Sequence, residues 1–204
     1  IWEGAKLSKD QAFDVSGIKN VYWLQDFEKV LNELMSHAEN IYLNTNEHLR
    51  AATEVETREA RFVKWCRSKY PIHTYKRSAP IMHQIRAIKS DLEVGVMQIA
   101  ADITTKSYDR VLKYIKPGVM EYALEAEFMH EFLMNQSRGF AYTPIIGSGF
   151  NACVLHYIEN NDVCKDGDLI LFDVGAEYAN YACDVTRCFP VNGKFTDRQK
   201  DVYN

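Results

Sequence analysis

The stretch from Asp168 to Val191 constrains this chain more than any other. Asp168-Leu-Ile-Leu-Phe-Asp173 is a short apolar run with the character of a buried strand, and Tyr181 to Val191 reads as the strand returning beside it. A turn centred on Tyr178-Ala179 would set Asp173 and Asp184 directly opposite one another. Like charges placed this way repel and weaken a sheet, so the pattern asks for a cation between them. A hard, oxygen-seeking metal ion is the simplest such cation. A second reading of the same spacing stands beside the first: Asp173 caps a turn and Asp184 pairs with Arg187.

A length of 204 residues allows one large domain or two small ones, and 47% hydrophobic residues suffice for a sizeable core. A net charge of -4 without any block of Lys and Arg leaves no electrostatic footprint for nucleic acid, which is excluded as a partner. The five cysteines are odd in number and contain no Cys-x-x-Cys pair, which argues against a disulfide framework or a zinc ribbon and for reduced thiols in a cytoplasm. No apolar stretch approaches the roughly 20 residues that cross a bilayer, so no membrane partner is expected. The opening Ile1-Trp-Glu-Gly lacks the charged-then-apolar layout of a signal segment, and Thr196 to Asn204 starts a helix that has no terminator. Both ends therefore read as cut.

Along the chain, Asn20-Val-Tyr-Trp and Ile41-Tyr-Leu43 have strand character, while Phe27, Val30, Leu31 and Leu34 follow helical spacing. Thr53-Glu-Val-Glu56 reads as a capping box before a helix that buries Val55, Phe62, Val63 and Cys66. This alternation predicts a small α/β unit. Pro71 to Pro80 is the best linker, placing a domain boundary near residue 80. Ser90-Asp-Leu-Glu93 is a second capping box, opening a helix with the stripe Leu92, Val96, Ile99, Ile103, Val111 and Ile115 that Lys116-Pro117-Gly118 ends. A third helix is predicted from about Met120 to Gln136, with Tyr122, Ala126, Met129 and Leu133 inward and Glu121, Glu125 and Glu131 toward water. Short β runs follow at Tyr142 to Ile146 and Cys153 to Tyr157, then the aspartate hairpin. Helices packed on a curved antiparallel sheet make an α+β layer arrangement.

His156 falls in the second of those β runs, Val154-Leu-His-Tyr157, ahead of the polar Glu159-Asn-Asn-Asp162. A strand histidine of this kind is either a hydrogen-bonded structural residue or a functional one, and the spacing alone leaves both open. Gly147-Ser-Gly149 lacks the Lys-Ser/Thr and the helix of a phosphate-binding loop, so it is read as a turn.

Three longer segments carry a resemblance. Ile146-Gly-Ser-Gly-Phe-Asn-Ala-Cys-Val-Leu-His-Tyr-Ile-Glu-Asn160, Asp166-Gly-Asp-Leu-Ile-Leu-Phe-Asp-Val-Gly-Ala-Glu-Tyr178 and Tyr181-Ala-Cys-Asp-Val-Thr-Arg-Cys-Phe-Pro-Val-Asn-Gly-Lys-Phe-Thr196 closely resemble the Xaa-Pro aminopeptidases (aminopeptidase P). These are pita-bread metallopeptidases, grouped with prolidase, creatinase and methionine aminopeptidase. Arg86-Ala-Ile-Lys-Ser90 and Pro117-Gly-Val-Met-Glu-Tyr122 extend the likeness, which covers most of the chain from about residue 80. The resemblance implies an α+β fold: residues 81–204 as the N-terminal half of a pita-bread domain, and residues 1–80 as the latter part of a creatinase-like N-terminal domain.

The same resemblance places the family's two metal-binding aspartates on Asp173 and Asp184, holding two divalent metal ions of which Mn2+ is the usual choice. It places the family's substrate-contacting histidine on His156, donating a hydrogen bond to the scissile region as negative charge develops. Thr186, two residues beyond Asp184 on the same strand face, is positioned to steady that carboxylate. The implied reaction releases the N-terminal residue from peptides with proline in second position, by a hydroxide activated between two metals. The partners are then proline-containing peptides, and a homo-oligomer at full length. The family's remaining ligands, one histidine and two glutamates, are expected after residue 204, so these residues alone are expected to be an incomplete catalyst. Three other readings are a prolidase acting on Xaa-Pro dipeptides, a non-enzymatic pita-bread protein that binds peptides or protein partners, and a creatinase-type amidinohydrolase, for which the motifs give no support.

Overall fold

The computed structural model describes residues 4–47 and 54–203. The chain divides between Ile88 and Lys89 into two compact units.

The first unit orders as α1 (Lys9–Ser16), α2 (Phe27–His37), β1 (Asn40–Leu43), α3 (Arg58–Lys69), β2 (Thr74–Arg77) and α4 (Ala79–Ala87). Strands β1 and β2 are parallel, with Ile41 opposite Tyr75, which requires the crossover that α3 supplies. Met35 of α2 and Cys66 of α3 are the buried side chains of these two helices. The expected α/β unit is therefore present, with three differences of detail. Asn20 to Trp23 forms no strand and leads into a 3-10 turn at Leu24–Asp26. The cap of α3 is Thr57, whose hydroxyl accepts from the Ala60 N–H, while Val55 is exposed; Thr53 lies outside the described residues. Pro71 to Pro80 is not a linker, because it contains β2 and the start of α4. Pro80 lies in the first turn of α4, where its missing N–H leaves no hydrogen bond unmade.

The second unit holds α5 (Asp91–Tyr114), α6 (Glu121–Met134), β3 (Ile145–Ser148), β4 (Leu169–Val174), β5 (Glu177–Tyr178), β6 (Tyr181–Ala182), β7 (Val185–Pro190) and α7 (Asp197–Tyr203). Strands β3, β4 and β7 form an antiparallel sheet in that order. Ile170, Phe172 and Val174 alternate onto its inner face and join Ile103, Tyr108, Val111, Leu124, Phe128 and Phe132 of the two long helices in one core. Tyr108, Phe128 and Phe172 meet edge to face at centroid separations of 5.2 to 6.1 Å. This is the α+β arrangement expected.

The capping box at Ser90 and Glu93 forms as read, but the stripe of α5 is buried only from Ala100 onward, and Leu92 is 81% exposed. The inner face of α6 differs from the expected one. Leu124, Phe128 and Phe132 point inward, Tyr122 and Leu133 outward, and Glu121 is fully buried rather than solvated. The helix is apolar nearly all round, so more than one stripe satisfies helical spacing and packing selects between them. Gly147 and Ser148 belong to β3, and Tyr142 precedes that strand. The expected β run at Cys153 to Tyr157 is the end of a 3-10 helix, Gly149–Cys153, followed by a turn, so His156 sits on a turn and not on a strand.

Candidate metal centre

Strand β4 sends Ile170, Phe172 and Val174 toward the helices, which leaves Asp173 on the opposite, half-buried face. Its partner across the ladder is Thr186, and the next pair is Val174 with Val185. The hairpin then continues in the same register through Glu177 with Ala182 and Tyr178 with Tyr181. The turn residues are therefore Ala179 and Asn180, with φ of 48° and 66°, the left-handed pair that a two-residue hairpin loop requires. This is one residue later than the sequence suggested. Asp184 consequently lies diagonal to Asp173, not directly opposite, two residues before Thr186 and on the same face. Thr186 is accordingly the cross-strand neighbour of Asp173.

The two carboxylates converge through a third residue. The Tyr142 hydroxyl lies 2.7 Å from Asp173 Oδ1 and 3.1 Å from Asp184 Oδ1. A phenol has one proton, so it serves one carboxylate at a time while standing between both. Its place is fixed by the backbone: the Ala141 N–H donates to the Gly175 carbonyl at 2.8 Å, and Phe140 bridges to Ala176. Burial, the hydrogen bond to Asp173 and the charges of both aspartates push the Tyr142 phenol far above its ordinary value. Arg187 points to the other face, where its guanidinium donates to the Thr186 carbonyl. Among the described residues neither aspartate has an ion-pair partner, which removes the reading in which Asp184 pairs with Arg187.

Tyr142, Thr143, Ile145, His156, Ile158, Asp173 and Asp184 line one cleft of about 490 Å³. The three residues singled out in the sequence thus share a single surface, with the His156 side chain exposed to it. Carboxylate and hydroxyl oxygens suit a hard divalent cation, so this donor set fits the class of ion expected. Two carboxylates are nonetheless few. Among the described residues no three His, Cys, Asp or Glu side chains gather to hold a metal. Sequence reasoning missed Tyr142 because nothing local marks it; it lies 31 residues from Asp173 and only the sheet brings it there.

Residues 95–204 match the model of metallopeptidase family M24, and residues 1–42 match the aminopeptidase P N-terminal domain. The chain belongs to metallopeptidase family M24. It is 36% identical over 205 aligned positions to an Xaa-Pro aminopeptidase of Escherichia coli, an alignment that takes in all of this chain and 46% of that protein. A rat Xaa-Pro dipeptidase is 41% identical over 129 positions, covering 61% of this chain and 26% of the dipeptidase. A Bacillus anthracis structure assigned as an aminopeptidase P superposes with a TM-score of 0.91 at 35% identity, covering all of this chain and 48% of that one. The chain spans about half the length of the curated aminopeptidases it matches. In this M24 chain the five cysteines are free thiols, and no helix among the described residues is long and apolar enough to cross a membrane.

Proposed function

We propose that this chain forms the first part of the catalytic domain of an Xaa-Pro aminopeptidase, preceded by the latter part of a creatinase-like domain in the unit that ends at Ile88. The observation that carries the reading is the convergence of Asp173 and Asp184 on one hydroxyl, in a cleft shared with His156, within an M24 chain. Asp173 and Asp184 are the metal ligands in this reading, for two divalent ions with Mn2+ the expected identity. Divalent ions there would supply Lewis-acid chemistry, making water more acidic and polarising the scissile carbonyl. Tyr142 holds the two carboxylates at a fixed spacing. His156, exposed in the cleft, donates a hydrogen bond to the scissile region as negative charge builds. A bond to proline has no amide N–H, so the pocket selects by shape rather than by accepting that hydrogen. Tight metal binding further needs the histidine and two glutamates that the family resemblance implies.

The partners in this reading are peptides with proline in second position, handled by a cytoplasmic homo-oligomer that engages neither nucleic acid nor membrane. The deciding experiment uses a polypeptide of the relatives' full length containing these residues, given a proline-second tripeptide with and without added Mn2+. Metal-dependent release of the first residue is expected. No release by the metal-loaded protein would refute the assignment. Prolidase is the second reading, favoured by the similarity to the rat dipeptidase; cleavage confined to dipeptides in a length series would select it.

A further inference from the structure

We infer that Glu121, at the start of α6, is a positioning residue for His156. The inference rests on the aminopeptidase reading and adds to it a residue outside the cleft. Glu121 is fully buried, and both its oxygens are engaged by one stretch of chain. Oε1 accepts from the Ser148 N–H at 2.8 Å and from the Asn151 side chain at 3.5 Å. Oε2 accepts from the Tyr157 hydroxyl at 2.7 Å and from the Asp162 N–H at 2.9 Å. These four donors lie before, within and after the turn that carries His156.

A second acid of α6 holds the same turn through an intermediary. Glu125 accepts from Asn160, whose amide also receives the Ile146 N–H and donates to the Pro144 carbonyl. Asn160 is 2% exposed and adopts φ of 45°. Val154, Leu155 and Ile158 of the turn are exposed and Tyr157 is its one buried ring, so apolar burial holds it down at a single side chain. Its shape therefore depends on polar contacts to α6. The carboxylate of Glu121 is taken out of water with no ion-pair partner among the described residues. It is compensated by four donors and by its place at the positive end of a helix. Asp173 sits on β4 and Asp184 directly precedes β7, and of the four donors only Ser148 belongs to the sheet, so loss of this latch acts chiefly on the turn, displacing the histidine and leaving the metal ligands in place.

The test is a double-variant cycle in a polypeptide of the relatives' full length. Glu121→Gln puts an amide N–H against existing donors; we expect kcat on the proline-second tripeptide to fall by roughly 10²-fold, the scale of an ångström misplacement. Mn2+ affinity by calorimetry should be unchanged. In a His156→Ala background the same substitution should cost less than about twofold, because its effect passes through the missing imidazole. Losses that multiply in the double variant, an Mn2+ affinity that falls with kcat, or a full kcat in Glu121→Gln would each overturn the inference. If Glu121→Gln does not fold, Tyr157→Phe removes one of the four donors and reads the same cycle. A wild-type protein without proline-directed release is a separate outcome, which defeats the aminopeptidase reading and this inference with it.

Discussion

Gly175 offers the sharpest test of how the two aspartates are held. It sits between the pairs Val174 with Val185 and Glu177 with Ala182. A Cβ there would lie 1.7 Å from the Cys183 carbonyl oxygen and 2.5 Å from its carbon, both backbone atoms that no rotamer change can remove. The 1.7 Å approach must open to about 3.0 Å before a real contact exists, so Gly175→Ala drives the strands apart by more than an ångström beside Asp184. Overpacking of this kind costs about 1–3 kcal/mol. It also breaks the register that sets Asp184 diagonal to Asp173, and shifts the Gly175 carbonyl that anchors Ala141 next to Tyr142. The expected result is a lower urea midpoint for the 204-residue chain and, at the relatives' full length, a roughly 10²-fold loss of peptide release. Gly95→Ala is the control. It is a helical position of α5 with nothing within 4 Å of the new Cβ, so stability should rise by roughly 0.5–1 kcal/mol. Equal midpoints for wild type and Gly175→Ala, with activity retained, would refute the steric argument.

Three further outcomes are expected. Tyr108→Phe removes a buried hydroxyl whose one proton lies within reach of the Phe172 and Val185 carbonyls of β4 and β7, and should cost about 1–2 kcal/mol in denaturant unfolding with an unchanged slope. Glu93 is held down at about 2, first by the Tyr181 hydroxyl and then by Ser90. A folded value below the unfolded one gives stability that is present above the ordinary glutamate range and lost as pH falls from about 4.5 toward 2. Tyr181→Phe should flatten that part of the stability curve measured by urea midpoints. Calorimetric titration of the 204-residue chain with Mn2+ should show weak binding, abolished in Asp184→Asn; tight uptake of two ions would contradict the need for further ligands.

Much of the second unit was legible because local rules agree with its packing. The capping box at Ser90, the helix stop at Lys116-Pro117-Gly118 and the apolar run of β4 each follow from propensity and period within a few residues. Where two local solutions were equally good, the sequence misled. The apolar surround of α6 allowed the wrong stripe, and Glu121 was read as solvated because a carboxylate is ordinarily so. Val154 to Tyr157 has strand composition but is held as a turn by Glu121 and Asn160, contacts reached across 14 to 41 residues of chain.

By itself, the sequence determined the residue types of the centre, since acids within an apolar hairpin are a local, readable conflict, and its longer motifs carried the family resemblance. Only the tertiary structure decided how those acids meet. Their diagonal register follows from a turn one residue later than its composition implied, and their common partner, Tyr142, comes from a distant segment pinned to the Gly175 carbonyl. Period and propensity act over a few neighbouring residues, whereas a site of this kind is set by ladder register and by buried polar contacts between segments far apart in the chain.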